Sequence, residues 1–361
     1  MRSIGFIGSV GLPNRYGGFE TFVSNVAPLI AAQGHRVFVT CDASRYRDDD
    51  DPMYDGVERI FVPVKANGAF SILHDFLAFL FVFRKVDTVV VLGVSAGLFF
   101  PFMRLLCGRK RQLITNIDGV EWRRTKHSAV RRAILRLFDG LAQLCSHHVV
   151  FDNEGLRSYV LKSARNRASM IAYGGDHVGA GEADMALRQP GCGLTVCRIE
   201  PENNIEMLIS GALASRIQKY RIVGNWSDSH YGRQLRESYR HEPRLELLDP
   251  IYESSLLHRL RSSCDMYLHG HSVGGTNPSL VEALFYPAQL ICFDCSFNRH
   301  TAGNAAFYFS DDAELACTIN DVMCSAGDTE TRQPYREIYR WSRIAGSYLS
   351  LGEADGQATA K

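Results

Sequence analysis

Short apolar segments alternating with helical apolar spacing, in two successive series, constrain this chain more than any single motif. The first series reads SIGFIG, RVFVTC, RIFVPV, TVVVLG, QLITNI and HVVF. Between the first two, FETFVSNVAPLIAAQG has helical apolar spacing and stops at Gly34. Strands separated by helices predict a parallel α/β sheet, because parallel neighbours need a crossover long enough to hold a helix. The pattern pauses over the Gly-rich stretch 174–193 and restarts with GLTVCRI, KYRIVGNW, RLELLD, MYLHG and AQLICFD. Two parallel-sheet α/β domains are therefore expected, at 1–175 and 176–334. An aromatic-rich helix at 335–351 and a polar, frayed tail at 352–361 follow. Two such domains in series place a ligand in the cleft between them, where strand ends face it.

The 361 residues exceed one ordinary core and suit two domains. Apolar content of 46% with 22% charge excludes a disordered chain. A formal net charge of +1 points to no nucleic-acid partner. The charge is uneven, however: residues 1–180 carry 23 Lys and Arg against 16 Asp and Glu, and the rest 17 against 23. That asymmetry suggests an anionic partner for the first half. The acidic run Asp48–Asp51 reads as a solvated loop. Ten cysteines are scattered, and only Cys292 and Cys295 form a C-x-x-C, inside an apolar run, so buried reduced thiols in a cytoplasmic protein are expected. No secretory leader is expected. The longest uncharged stretch, Thr88 to Met103, is 16 residues with Gly93, Gly97 and Pro101, short of a bilayer span.

Four stretches carry candidate chemistry. In GSVGLPNRYGGFET, Gly17 and Gly18 precede a helix and let backbone N–H groups approach a phosphate or sugar; the spacing does not match a dinucleotide fingerprint. In HGHSVGGTNPSLVEAL, a strand feeds a loop with Gly274 and Gly275, Asn277 or Ser279 can cap the next helix, and Glu282 lies about one turn inside it. A glycine-rich helix N-terminus is an anion site, and Glu282 could accept hydrogen bonds from a ribose diol. His269 and His271 read as packed strand-end residues. In CRIEPENNIEMLI, Arg198 ends a strand and Asn203 and Asn204 open a helix, an arrangement that would grip a diphosphate. In NIDGVEWRRTKHSAVRR, Asp118 and Glu121 sit beside Trp122, suiting a sugar hydroxyl, while Arg123, Arg124, Lys126, Arg131 and Arg132 suit a phosphate or an anionic membrane face.

Together these stretches resemble the retaining GT-B glycosyltransferases that carry an E-x7-E motif. YGGFETFV, LGVSAG, NIDGVEW, RIEPENNI, DPIY and HGHSVGGTNPSLVEAL look most like the bacterial β-1,4-rhamnosyltransferases of capsule and cell-wall assembly, over residues 4 to 310. The resemblance implies two Rossmann-like domains facing an interdomain cleft, the acceptor in the first and a nucleotide-sugar donor in the second. Glu282 matches the Glu that holds the donor ribose, and Arg198 the Arg on the donor diphosphate. Gly17 and Gly18 match the loop near the diphosphate and acceptor, and Asp118 falls where many relatives place a His beside the reacting sugar. Asn203, Gly274, Gly275, Thr276 and Asn277 complete the implied donor site; Tyr16, Asp118, Glu121 and Trp122 form the implied acceptor site. The first Glu of the motif falls at Gly274, and the Lys that usually partners Arg198 falls at Asn203.

The resemblance implies transfer of a deoxyhexose, L-rhamnose from dTDP-L-rhamnose, with retention and without metal or other cofactor. The acceptor is expected to be a polyprenyl-diphosphate-linked saccharide, and the enzyme is expected to be peripheral at the inner face of the plasma membrane. In FFPFMRLLCGRKRQ, Phe99, Phe100 and Phe102 with Arg104, Arg109, Lys110 and Arg111 form a candidate membrane-docking segment. Two other classes compete: a non-catalytic sugar-nucleotide-binding subunit, suggested by Gly274 and Asn203, and a dinucleotide-dependent oxidoreductase, disfavoured by the first loop.

Overall fold

A computed structural model describes residues 1–15, 17–123, 127–178, 187–324 and 330–354. The chain forms two compact units, Met1–Tyr173 together with the stretch from Trp341 onward, and Gly174–Arg340.

The first unit runs β1 (Ser3–Ile7), α1 (Gly18–Ala32), β2 (Arg36–Asp42), β3 (Met53–Tyr54), β4 (Val57–Val62), α2 (Ser71–Val82) and β5 (Thr88–Leu92). It continues with α3 (Phe100–Cys107), β6 (Gln112–Asn116), α4 (Ala129–Cys145), β7 (His148–Phe151) and β8 (Ala168–Met170). The sheet order is β3-β4-β2-β1-β5-β6-β7-β8, parallel except for the β3–β4 pair. All five residues of β5 are buried, as a continuous apolar run covered on both faces requires. One core cluster joins residues of α2, α3 and α4, including Phe79, Met103 and Ala142. Another packs Phe22 and Val26 of α1 with the final helix of the chain.

The second unit runs β9 (Cys192–Val196), α5 (Ile205–Ala214), β10 (Lys219–Val223), α6 (His230–Tyr239), β11 (Leu245–Leu248), α7 (Ser254–Ser263) and β12 (Met266–His269). Then come α8 (Pro278–Ala283), β13 (Gln289–Phe293), α9 (Ser296–Ala302), β14 (Ala306–Phe309), α10 (Asp312–Met323) and α11 (Gln333–Ile338). Its all-parallel sheet has the order β11-β10-β9-β12-β13-β14.

The structure differs from the expected 335–351 helix. The chain leaves helical geometry at Tyr339 and Arg340, and α12 (Trp341–Ala354) begins anew. The break follows from the anchors on either side of it. The Tyr339 hydroxyl donates to the Thr301 carbonyl at 3.0 Å in the second unit. Trp341, Ile344, Tyr348 and Leu349 instead enter the core of the first. In the acidic loop Asp48, Asp50 and Asp51 are exposed, as expected, and Asp49 is half-buried. Buried Arg59 makes a bidentate pair with Asp49 at 2.8 and 3.1 Å and donates to the Leu12 carbonyl at 3.1 Å, tying that loop to the one after β1.

Candidate functional site

In the second sheet the chain winds from β9 through β10 to β11, then returns to β12 on the other side of β9. At such a reversal the loops leaving adjacent strand ends diverge, and a ligand can enter between them. The two loops at this point, after β9 and after β12, contain the donor-site residues expected in the second unit except Glu282, which lies in α8.

Hydrogen bonds knit the two loops together. Asn203, 6% exposed, donates through Nδ2 to the Arg198 carbonyl at 2.7 Å. Its Oδ1 lies 2.7 Å from His271 Nδ1, so the ring donates through that nitrogen. Asn204 donates to the Gly270 carbonyl at 2.8 Å, and the Ser272 N–H and hydroxyl both reach the Glu202 carbonyl, at 3.0 and 2.9 Å. The loops approach so closely that a Cβ at Gly270 would stand 2.2 Å from the Asn203 carbonyl oxygen, which admits only glycine there.

Arg198, two residues beyond β9, is exposed. Among the described residues its guanidinium makes no hydrogen bond or ion pair, and this cation projects from the strand end where the sheet order reverses. Across the opening Gly274 has φ +118°, a conformation L side chains rarely adopt, so the residue replacing the expected Glu is one its backbone requires. Gly275 is half-buried and Thr276 nearly buried. Asn277 caps α8 by accepting the Ser279 N–H at 3.0 Å. The helix it caps has only six residues, so the dipole available at its N-terminus is weaker than a long helix would offer.

Glu282 is more committed than a carboxylate reserved for a ligand. Its side chain is 14% exposed and pairs with the nearly buried Arg261 of α7, while its other oxygen lies 3.4 Å from His177 Nε2. Burial alone would raise this carboxyl, but the Arg261 guanidinium and the His177 ring outweigh burial and hold it below the ordinary range. His269, at the end of β12, is buried and driven down to about 3, chiefly by desolvation and secondarily by His271, so it stays neutral. In the C-x-x-C, Cys292 is buried and the Cys295 thiol donates to the His271 carbonyl at 3.6 Å, a packing role for both.

The first unit has a comparable reversal between β1 and β5. Gly17 caps α1 in extended geometry and Gly18 is its first residue. The Val10 N–H is not free for a ligand, because it donates to the buried Glu20 carboxylate at 2.5 Å. Tyr16, Arg124 and Lys126 lie outside the described residues. Asp118 sits just beyond β6 at φ +55°, its N–H donating to Asn116 Oδ1 at 3.0 Å. Asn116 in turn donates to the Tyr348 hydroxyl of α12 at 3.0 Å. Glu121 lies 3.3 Å from His127. Trp122 donates to Asp139 at 3.0 Å, has the Tyr159 ring edge-on at 6.0 Å, and lies beneath Arg136 at 5.2 Å.

Residues 1–176 match the model of a domain of unknown function (DUF1972). No curated protein is similar in sequence to the chain. Several solved structures share its architecture. Sucrose-phosphate synthase from Thermosynechococcus elongatus superimposes with a TM-score of 0.78 at 16% identity, over 100% of both chains. Anabaena HepE, solved with UDP and glucose, gives 0.65 at 14% identity, over 100% of both chains. The lipopolysaccharide outer core galactosyltransferase WaaB gives 0.62 at 15% identity, over 97% of this chain and 98% of that one. The fold is that of the GT-B glycosyltransferases: two Rossmann-like parallel-sheet domains.

Several residues that shape these sites were not singled out from the sequence: Arg261, His177, Glu20, Asn116 and Tyr348. Glu20 had a usable signal, since it stands three residues after the Gly17 cap, the spacing at which a Glu reaches back over a helix start. Arg261 follows Arg259 by two positions just ahead of an apolar strand, and only the tertiary structure shows which of the two is buried against a partner.

Proposed function

We propose that the protein is a glycosyltransferase that takes a nucleotide-activated sugar in the loops after β9 and β12 and binds its acceptor in the first unit. The observation that carries this reading is Arg198, an exposed and uncommitted cation at the strand end where the second sheet reverses. A guanidinium there suits a diphosphate, whose charge grows as the sugar leaves. The breaking bond joins the anomeric carbon to the diphosphate oxygen, and the forming bond joins that carbon to an acceptor hydroxyl. In a same-face, retaining course the hydroxyl proton passes to the departing phosphate oxygen. Arg198 and the N–H groups following Gly275 would stabilise that oxygen, Glu282 would hold the ribose, and Asp118 would orient the acceptor or help as base.

The sequence resemblance supports dTDP-L-rhamnose as donor and a polyprenyl-diphosphate-linked saccharide as acceptor, in surface polysaccharide assembly at the inner face of the plasma membrane. No helix among the described residues is long and apolar enough to cross a membrane. HepE, of the same fold, was solved with UDP and glucose, which supports a nucleotide diphosphate at the donor site. Metal-free transfer belongs to the same reading, since the sequence offers cations and backbone N–H groups where a metal-dependent enzyme would carry an Asp-x-Asp pair.

A thermal-shift screen of nucleotide sugars tests the proposal: a ligand at 100-fold its dissociation constant adds about 2.7 kcal/mol of stability. Arg198→Met should weaken dTDP binding by roughly ten- to a hundredfold, the loss of one or two charge-assisted bonds, with an unchanged melting temperature. If no nucleotide sugar shifts the transition, or Arg198→Met binds dTDP normally, the donor site is misassigned. Loss of transfer in chelator, restored by magnesium or manganese, would overturn the metal-free reading.

A further inference from the structure

Helices α3 and α4 of the first unit have an apolar outer surface as well as an apolar inner one. On α4, Phe138 and Ala142 face the core. Val130, Ile134, Leu137 and Leu144 are 72%, 46%, 57% and 53% exposed and recur at spacings of four, three and seven residues along one side. By the 100° step of a helix, that stripe is centred roughly 105° from Phe138 and Ala142, on a flank of the helix that the core does not cover. Leu98, Phe102 and Leu105, on the turn into α3 and on α3 itself, add exposures of 58%, 46% and 75%. The two helices are packed against each other, so the exposed residues belong to one layer. The aromatic patch expected from the sequence is only partly right. Phe100 is buried, Phe99 stacks on Phe76 of α2 at 4.1 Å, and Phe102 alone of the three is exposed.

The charges around this surface have one sign. Arg104, Arg109 and Lys110 on and after α3, and Arg131, Arg132 and Arg136 on α4, are exposed. The three carboxylates of residues 97–145, Asp118, Glu121 and Asp139, are all at least partly buried. Apolar side chains rimmed by cations, with no exposed carboxylate among them, complement an interface of acyl chains beneath anionic headgroups. A second copy of the chain fits less well, because a symmetric contact would set each cation group against its own copy.

We infer that the outer faces of α3 and α4 form a docking surface for an anionic lipid bilayer. The inference deepens the lipid-acceptor part of the proposed function and rests on that reading for which leaflet is engaged. Docking itself is read without donor, acceptor or transfer, so the two can fail separately.

The test uses the full chain and co-sedimentation with vesicles of phosphatidylcholine, with and without phosphatidylglycerol. Binding should require phosphatidylglycerol and weaken as salt rises. Leu105→Asn, Ile134→Asn and Leu137→Asn in one protein should abolish binding while leaving the melting temperature and dTDP affinity intact, since none of the three joins the core. Arg109→Gln with Lys110→Gln should weaken binding about twentyfold, the effect of two cations at an acidic surface. Equal binding to both vesicle types, binding to neither, or a triple variant that binds like the parent would overturn the inference. So would a dimer in sedimentation velocity that the triple variant abolishes, which would assign the surface to a second copy.

Discussion

His271 Nδ1 lies 2.7 Å from Asn203 Oδ1, and through that bond the loop after β12 is fixed to the loop after β9. Because Asn203 also holds the Arg198 carbonyl, one buried amide sets the backbone on both sides of the candidate donor site. Asn203→Leu keeps the volume and removes both bonds. It should cost about 2 kcal/mol in denaturant unfolding, from two lost part-buried hydrogen bonds. It should also weaken dTDP binding about tenfold, because loops no longer held in place must be ordered on binding. Unchanged affinity by calorimetric titration would show that the bridge does not organise the site.

Glu282→Gln should have two effects. Removing one partner of a buried pair leaves Arg261 without a counter-charge, which typically costs about 3–5 kcal/mol. The ribose contact of the proposed site would fall by roughly ten- to a hundredfold in affinity. The double variant Arg261→Met, Glu282→Leu separates the two. It should regain much of the stability, because a hydrophobic pair of similar volume replaces the ions, without regaining donor affinity. Recovery of binding in the double variant would limit Glu282 to a structural role. The carboxyl is held low in the folded state, so its stabilisation is present at neutral pH and fades as pH drops below the ordinary glutamate value of about 4.3. Parent and Glu282→Gln melting curves should converge in acid.

Asp75 of α2 behaves in the opposite sense. Burial pushes its carboxyl up to about 7, offset in part by the Ser95 hydroxyl that donates to it. Between an unfolded value of about 3.9 and the folded value, the native state keeps a proton that the unfolded chain has lost. Stability therefore falls as pH rises through that window and levels off above it. Asp75→Asn retains an acceptor for Ser95 and removes the titration. It should match the parent near pH 4 and exceed it above pH 7 by on the order of 4 kcal/mol. Parallel unfolding curves of the two proteins across this range would contradict the buried, protonated state.

Tyr348→Phe deletes the acceptor for Asn116 Nδ2 at the end of β6. The amide is buried, so the change should cost about 1–2 kcal/mol, read as a lower denaturant midpoint with an unchanged slope. An unchanged midpoint would mean that the amide finds another partner and that the turn carrying Asp118 does not depend on α12.

Most of the architecture was legible because parallel strands covered on both faces are written as continuous apolar runs, of which TVVVL is the clearest. The strands that escaped, β3, β8 and β14, are all sheet edges. An edge is paired on one side only and needs no such run. At the site, glycines, caps and strand-end cations were visible because each is a local requirement of the backbone. What could not be read was commitment: nothing local distinguishes Glu282 facing a ligand from Glu282 paired with Arg261, 21 positions away. The break at Tyr339 and Arg340 was hidden for a similar reason. Helical spacing continues across it, and the two sides differ only in the core that receives them.

The return of α12 reverses the usual order in which a two-domain chain matures on the ribosome. Domains generally complete themselves from the N-terminus as synthesis proceeds. Here Gly174–Arg340 is one continuous stretch and can close its core as soon as it emerges. Phe22 waits for Trp341 and Tyr348, whose rings meet it edge-on at 6.0 and 5.2 Å. A nascent chain stopped before Trp341 would hold a finished second unit and a first unit with an open seam of exposed aromatic surface, a substrate for chaperones until the last fourteen-residue helix arrives to seal it.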